Sequence, residues 1–216
     1  MGIRIDREAI PFAAASLGAG IALFVLSRLT WSPLAYFCLP LLLLGLGAVV
    51  FLRETIHGIA FSPGQIVAPA SGRIIKIAEV DEPEFVKGRA IEVSIFMSVF
   101  DEHMNYAPVE GEIAYLRYRK GSFRQAFRDQ ASEMNEAQII GFEANEQKIL
   151  MKMVAGIIAR RVVFRSRLDA HLKAGENLGL IRFGSRVDLY LPPTAKLEVT
   201  KGEAVTGALT VLGRLT

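Results

Sequence analysis

The chain is poor in the residues from which metal and redox sites are built. Among 216 residues there is one cysteine, and there are three histidines. The single Cys38 excludes an internal disulfide, and with no Cys or His cluster no metal-ligand spacing exists. An excess of charge of one sign is also lacking. Lys and Arg number 25 against 22 Asp and Glu, leaving +3, so electrostatics gives no argument for nucleic acid as a partner. A mildly basic surface suits an anionic membrane, though weakly. Charge is altogether missing from residues 10–27.

What is abundant is apolar sequence, 51% of the chain. Residues 1–9 are polar and carry Arg4 and Arg7. Residues 10–27 then give about one bilayer-spanning length. Arg28 and Thr30 interrupt it, and a second apolar run, residues 34–52, ends at Arg53-Glu54. A signal peptide is disfavoured because the second run follows at once and no small-residue cleavage site stands out. Two spans joined by a tight turn predict a helical hairpin over residues 1–54, the alternative being two helices lying in the interface. Gly18, Gly20, Gly45 and Gly47 would permit close helix approach. Arg4, Arg7 and Arg53 lie to one side and Arg28 to the other, which places both ends in the cytoplasm.

Residues 55–66 read as a linker with Gly58, Pro63 and Gly64. Over residues 67–216 the helical period gives way to short alternating segments. Strands are predicted at residues 66–67, 73–77, 90–97, 111–118, 148–154, 157–164, 178–183 and 187–191. Residues 125–135 are the one convincing helical stretch. The class is α+β but mainly β: a compact β barrel or sandwich behind a two-helix membrane anchor. Pro-Ala-Ser-Gly at 69–72 and Lys173-Ala-Gly-Glu-Asn-Leu-Gly179 resemble the turns of lipoyl-type domains. Met151-Lys-Met153 lies inside an apolar strand pattern rather than at a turn, which favours a structural lysine over a carrier.

Gly184-Ser185 sits between two strand-like runs, and there a hydroxyl lies beside a peptide carbonyl that no side chain shields. The ordinary reading of such a pair is a turn. Gly121-Ser122 is a second pair, in a basic stretch, and reads as a plain turn or a ligand-facing loop.

Leu178-Gly-Leu-Ile-Arg-Phe-Gly-Ser-Arg-Val-Asp-Leu-Tyr-Leu-Pro192 resembles the processing site of the short phosphatidylserine decarboxylases. Ile95-Phe-Met-Ser-Val-Phe-Asp-Glu-His-Met-Asn-Tyr-Ala-Pro-Val-Glu-Gly111 is similar to the family's His-containing segment. Ala131-Ser-Glu-Met-Asn-Glu136 and Val154-Ala-Gly-Ile-Ile-Ala-Arg-Arg161 also fit, in the expected order. Four ordered blocks are far more specific than any one.

The resemblance implies a membrane-attached, pyruvoyl-dependent enzyme that converts phosphatidylserine to phosphatidylethanolamine and CO2. Losing CO2 leaves a carbanion, and a Schiff base to a carbonyl delocalises it. In the family that carbonyl derives from the serine of the processing site, here Ser185. Cleavage after Gly184 would leave a large β fragment and a small α fragment of the same chain. The resemblance makes His103 the proton-transfer group, although a lone histidine is more often structural. The long branch of the family has a second histidine where this chain has Tyr106. His57 and His171 lie in no matching block.

Family members read Pro-Ala-Asp-Gly where this chain reads Pro69-Ala70-Ser71-Gly72. Ser71 can hydrogen-bond but carries no charge to stabilise an imidazolium. Ser71 and Asp101 are the candidates for support of the histidine, with Glu102 and Asp188 as substitutes. Arg160 and Arg161, or Lys120, Arg124 and Arg128, would hold a phosphate or else face solvent. A homo-oligomer stays open. The alternatives from another class are a non-enzymatic membrane adaptor with a lipoyl-like domain and a relative that has lost processing.

Overall fold

The computed structural model describes residues 2–30, 32–128, 130–157, 161–181 and 184–216. The chain divides into two compact units, one through Ile56 and one from His57 onward.

The first unit runs β1 (Gly2–Ile5), α1 (Ala9–Leu29), a 3-10 stretch Ser32–Phe37, α2 (Cys38–Phe51) and β2 (Arg53–Ile56). β1 and β2 pair antiparallel, so the segment expected to open a linker is instead half of a small ribbon. α1 is long and apolar enough to cross a membrane. The second apolar run differs from the expected span. Its α-helix has 14 residues, about 21 Å at 1.5 Å per residue, which is short of a bilayer core. Pro40 supplies the reason. A helix beginning near residue 34 would bury Pro40 in its interior, where its ring clashes with the carbonyl four residues back. Starting at Cys38 puts it in the first turn. Two of the four expected glycines mark the contact of α1 with α2. A Cβ on Gly45 would lie 3.0 Å from the Ser16 Cβ, and one on Gly20 would lie 3.6 Å from Leu42. Gly18 and Gly47 face nothing within 4 Å.

The second unit is mainly β. In order come β3 (Gln65–Val67), β4 (Gly72–Glu82), β5 (Gly88–Met97), β6 (Met104–Tyr106), β7 (Gly111–Arg119), α3 (Ala131–Met134), β8 (Ala137–Ala144), β9 (Gln147–Ala155), β10 (Val162–Phe164), β11 (His171–Leu172), β12 (Asn177–Ile181), β13 (Ser185–Leu191), β14 (Lys196–Leu197), β15 (Ala204–Val205) and β16 (Val211–Arg214). The main sheet is a curled half-barrel in the order β11-β7-β8-β9-β13-β5-β4-β15, flanked by β10-β12-β6 and β14-β16-β3.

Two expectations need correction. The helix over residues 125–135 shrinks to Ala131–Met134. Asn135 ends it, because its side chain binds Arg124 N–H, Arg124 C=O and Ala155 C=O instead of continuing the helix. A strand absent from the sequence reading, β8, lies beside β9 in the main sheet. Almost all of β8 is buried, so it has no polar alternation to betray it. The strand expected at residues 157–164 is realised only at Val162–Phe164, and residues 158–160 lie outside the described residues.

β13 pairs antiparallel with β5 on one side and β9 on the other. Its alternation sorts side chains by face. Val187, Leu189 and Leu191 enter the main core with Met151 and Met153 of β9. Lys152 points the other way, its Nζ 4.4 Å from the centre of the Tyr190 ring, which makes it a structural lysine. On that second face Arg186 is fully buried. Its guanidinium meets Asp188, Glu92 at 3.2 Å and Ser94 at 2.8 Å. Lys76 closes on Glu92 at 2.7 Å, and Ser132 donates to Asp188.

Removing Arg186 alone would leave Asp188 and Glu92 short of their buried counter-charge. Arg186→Met is expected to cost about 3–5 kcal/mol in urea unfolding, and less than about 1 kcal/mol would mean that the network relaxes or admits water.

Candidate active site

Ser185 opens β13 with its side chain fully buried. Its cross-strand partners are Met97 on β5 and Ala155 on β9. The hydroxyl donates to the Met97 sulfur at 3.2 Å. A thioether is a weak acceptor, so the hydroxyl is only loosely held. Ser122 contrasts with it. That hydroxyl meets Met134 O at 3.1 Å and the Asn135 side-chain oxygen at 3.2 Å, which are the bonds of a closed turn.

Gly184 has φ +52, a left-handed conformation that costs glycine little. Its carbonyl oxygen lies against Gly156, where a Cβ would sit 1.8 Å away. Only a glycine at 156 admits that approach. On the other side, Gly184 N–H donates to His103 Nε2 at 3.1 Å.

His103 is fully buried. Its Nδ1 lies 2.7 Å from the Asp101 backbone carbonyl, and since a carbonyl only accepts, Nδ1 carries the proton. Nε2 is then the acceptor nitrogen, and its lone pair takes the Gly184 N–H. Burial pulls the imidazole down to about 4. The Asp101 carbonyl and carboxylate push the other way without offsetting burial. The ring is therefore neutral at neutral pH.

The remaining candidates are spread out. The Asp101 carboxylate accepts Ser98 N–H at 2.7 Å, so its bond to His103 runs through the backbone. Glu102 accepts from the Tyr106 hydroxyl at 2.7 Å. Asp188 is locked to Arg186 on the opposite face of β13 from Ser185 and cannot stand in for a carboxylate at His103. The Ser71 hydroxyl accepts Gly207 N–H at 3.0 Å; its hydrogen bond is there and not at His103. Arg161, Lys120, Arg124 and Arg128 are exposed, and Arg160 lies outside the described residues. His171 is exposed at the sheet edge, 3.8 Å from Glu110. No group of three or more His, Cys, Asp or Glu residues that could hold a metal occurs among the described residues.

Sequence reasoning missed Arg186 and Asn105. Arg186, the residue after Ser185, ties β13 to β5 through Glu92 and Ser94 and is visible as a charge inside an apolar strand. Asn105 has its Nδ2 3.8 Å from the Met97 sulfur, and nothing in its spacing separates it from an ordinary polar residue.

A buried hydroxyl thus lies beside a left-handed glycine carbonyl, with a neutral imidazole at the same junction. Residues 46–213 match the family model described as phosphatidylserine decarboxylase. The chain belongs to the phosphatidylserine decarboxylase family. A relative from Carboxydothermus hydrogenoformans, named phosphatidylserine decarboxylase proenzyme, is 42% identical over 174 residues, covering 80% of this chain and 82% of its own. One of the same name from Symbiobacterium thermophilum is 40% identical over 214 residues, covering 98% and 95%. A phosphatidylserine decarboxylase family member with such relatives is an enzyme, which sets aside the adaptor alternative.

The low His103 value has a measurable consequence. In the unfolded chain the imidazole titrates near 6.5, against about 4 when folded. Its contribution to stability is complete above pH 6.5 and is lost as the pH falls through 4. At pH 5 the loss is about 2 kcal/mol. Urea midpoints of Ser185→Ala, which lacks the hydroxyl, are expected to fall between pH 7 and 5. In Ser185→Ala with His103→Gln that portion of the fall disappears, and an unchanged slope would place the titration elsewhere.

Proposed function

We propose that the chain cuts itself between Gly184 and Ser185, and that residue 185 then carries a pyruvoyl group with which phosphatidylserine is converted to phosphatidylethanolamine and CO2. The observation that carries this reading is the Ser185 hydroxyl. It is buried, adjacent to its own Gly184 carbonyl, and among the described residues held only by a sulfur, in a chain whose relatives are named proenzymes.

Ser185 Oγ bonds to the Gly184 carbonyl carbon as its proton leaves, and the Gly184–Ser185 C–N bond breaks. An ester replaces the peptide bond, with a free amine on residue 185. Loss of the residue 185 Cα proton then breaks the Cβ–O bond, freeing the Gly184 carboxylate and leaving dehydroalanine. Addition of water and departure of ammonia complete the pyruvoyl group. Neutral His103 is the proton acceptor; its Nε2 takes the Gly184 N–H in the uncut chain and must release it to receive the Ser185 proton. Asp101 supports it by fixing the tautomer through a backbone carbonyl. The tight packing of the Gly156 backbone on the Gly184 oxygen brings peptide dipoles to where the oxyanion develops.

The pyruvoyl carbonyl supplies an electron sink for the carbanion left by CO2. The surroundings fit such a group, because the buried Asn105 Nδ2, which among the described residues meets only the weakly accepting Met97 sulfur at 3.8 Å, is a donor that a carbonyl could engage. The rim of the site supports a lipid substrate and a bilayer partner. Val99, within 4 Å of a Cβ built on Gly184, precedes Phe100, which is 90% exposed. Ile157 follows Gly156, and Phe127 packs on Phe96 at 6.0 Å; both are exposed. Lys120, Arg124 and Arg128 add positive charge suited to an anionic surface. The distribution of Arg4, Arg7 and Arg53 against Arg28 favours the cytoplasmic side for the second unit.

Intact mass decides the first half of this proposal. The active protein is expected as two fragments, the smaller without a free amino terminus. Ser185→Ala stays whole and inactive while Ser122→Ala is cut normally. One unbroken chain in an active preparation would refute self-processing, and one unbroken chain in an inactive preparation would mark a relative that has lost it.

Location is tested separately. Protease added to intact cells is expected to spare the second unit, and carbonate washing is expected to leave it with the membrane. Digestion in intact cells would reverse the topology, whereas release by carbonate would make the association peripheral.

A further inference from the structure

Asn105 is the residue near Ser185 whose chemistry is left open by self-cleavage. It is the middle residue of β6, opposite Gly179 on β12, and its side chain is fully buried. Its Nδ2 points to the Met97 sulfur at 3.8 Å, the same sulfur that takes the Ser185 hydroxyl at 3.2 Å. Its Oδ1 is buried and accepts no hydrogen bond among the described residues. A buried carbonyl left in this state is destabilising, because it has lost water and gained nothing. An apolar residue of similar size would remove the penalty.

We infer that Asn105 Oδ1 is the acceptor for the substrate's primary amine. The inference rests on the decarboxylase reading above and goes beyond it by assigning the amine a docking atom. Three features favour an amine over other donors. Its amide and the Ser185 hydroxyl meet the same Met97 sulfur, which places the acceptor near the carbon that the amine must reach. It is aimed from a strand rather than a loop, so its position is fixed. It is also neutral. A carboxylate in its place would favour the ammonium form, which has no lone pair with which to attack; an amide carbonyl takes an N–H while adding no such bias. In the uncut chain the Ser185 side chain fills the approach to Met97. Asn105 is thus idle during processing and engaged only afterwards, which makes it a specificity residue for amino head groups.

The test uses full-length protein in detergent with phosphatidylserine, comparing wild type with Asn105→Leu and Asn105→Ala. Cleavage is read by intact mass, and the carbonyl content of residue 185 by saturating phenylhydrazine. Reductive coupling of the substrate amine by cyanoborohydride gives the rate of amine engagement, and a thermal midpoint reports on folding. Both variants are expected to be cut and to carry the full carbonyl content. Amine coupling and kcat/KM are expected to fall about tenfold or more. The thermal midpoint of Asn105→Leu is expected to stay level or rise, because an unsatisfied polar group has been replaced by an apolar one. A merely structural asparagine would lower it.

Coupling within about twofold of wild type in either cut variant would overturn the inference. So would chains that stay uncut in both, which would assign Asn105 to processing. If wild type itself contains no reactive carbonyl, the decarboxylase reading fails first, and that result is distinct from every outcome of the variants.

Discussion

The backbone pairing of β13 is the constraint on which the site depends. Seven consecutive residues of this strand pair with β5, and six of them also pair with β9. Ser185 is the first residue of both ladders. The peptide bond before it therefore joins a fixed strand to a left-handed glycine that belongs to no strand. Gly184 lies outside the ladders in a conformation that costs glycine little, whereas Ser185 is held from both sides. In the proposed chemistry the strand end fixes the hydroxyl and leaves the peptide before it outside the sheet.

The two faces of the same strand divide the work. One face carries Ser185 and the apolar core residues Val187, Leu189 and Leu191. The other carries Arg186 with its two carboxylates. A buried ion network of this kind gives little net stability compared with apolar packing. Its geometric effect is larger, since Arg186 can bond Asp188, Glu92 and Ser94 together only in one register of β13 on β5. A slip of one residue would put Ser185 on the charged face and Arg186 in the core. The network keeps the hydroxyl on the side where His103 and Asn105 stand.

Much of this was legible beforehand. Alternation and turn residues gave most strands, and the Gly-Ser step between two strand patterns marked the junction. The order of motif blocks singled out His103. What failed to show did so for physical reasons. β8 is buried on nearly every residue, and a strand without a polar face has no period to read. Pro40 delayed the second helix, a local rule available in the sequence but outweighed by the run of leucines around it. Asp188 was weighed as a partner for His103, yet it stands three positions from Ser185, and an odd separation on a strand means opposite faces. The role of Asn105 could not be read at all. An orphaned carbonyl is a property of what surrounds it, and its surroundings come from β5, β12 and β13 together.

The pairing of the C-terminal segment carries a consequence for how the molecule comes apart. Beyond β13, the chain after residue 185 returns to β4 through β15 and to β3 through β16. A cut at the junction would leave a short piece laced into the larger one at three separate places, with no covalent link. Before the cut, unfolding and refolding concern one molecule. Afterwards, refolding is an encounter between two, and apparent stability depends on protein concentration. So short a piece would not bury a core by itself. Folding would therefore have to precede such a cut, and a cut molecule that unfolded in dilute solution would have lost the connection that first brought its parts together.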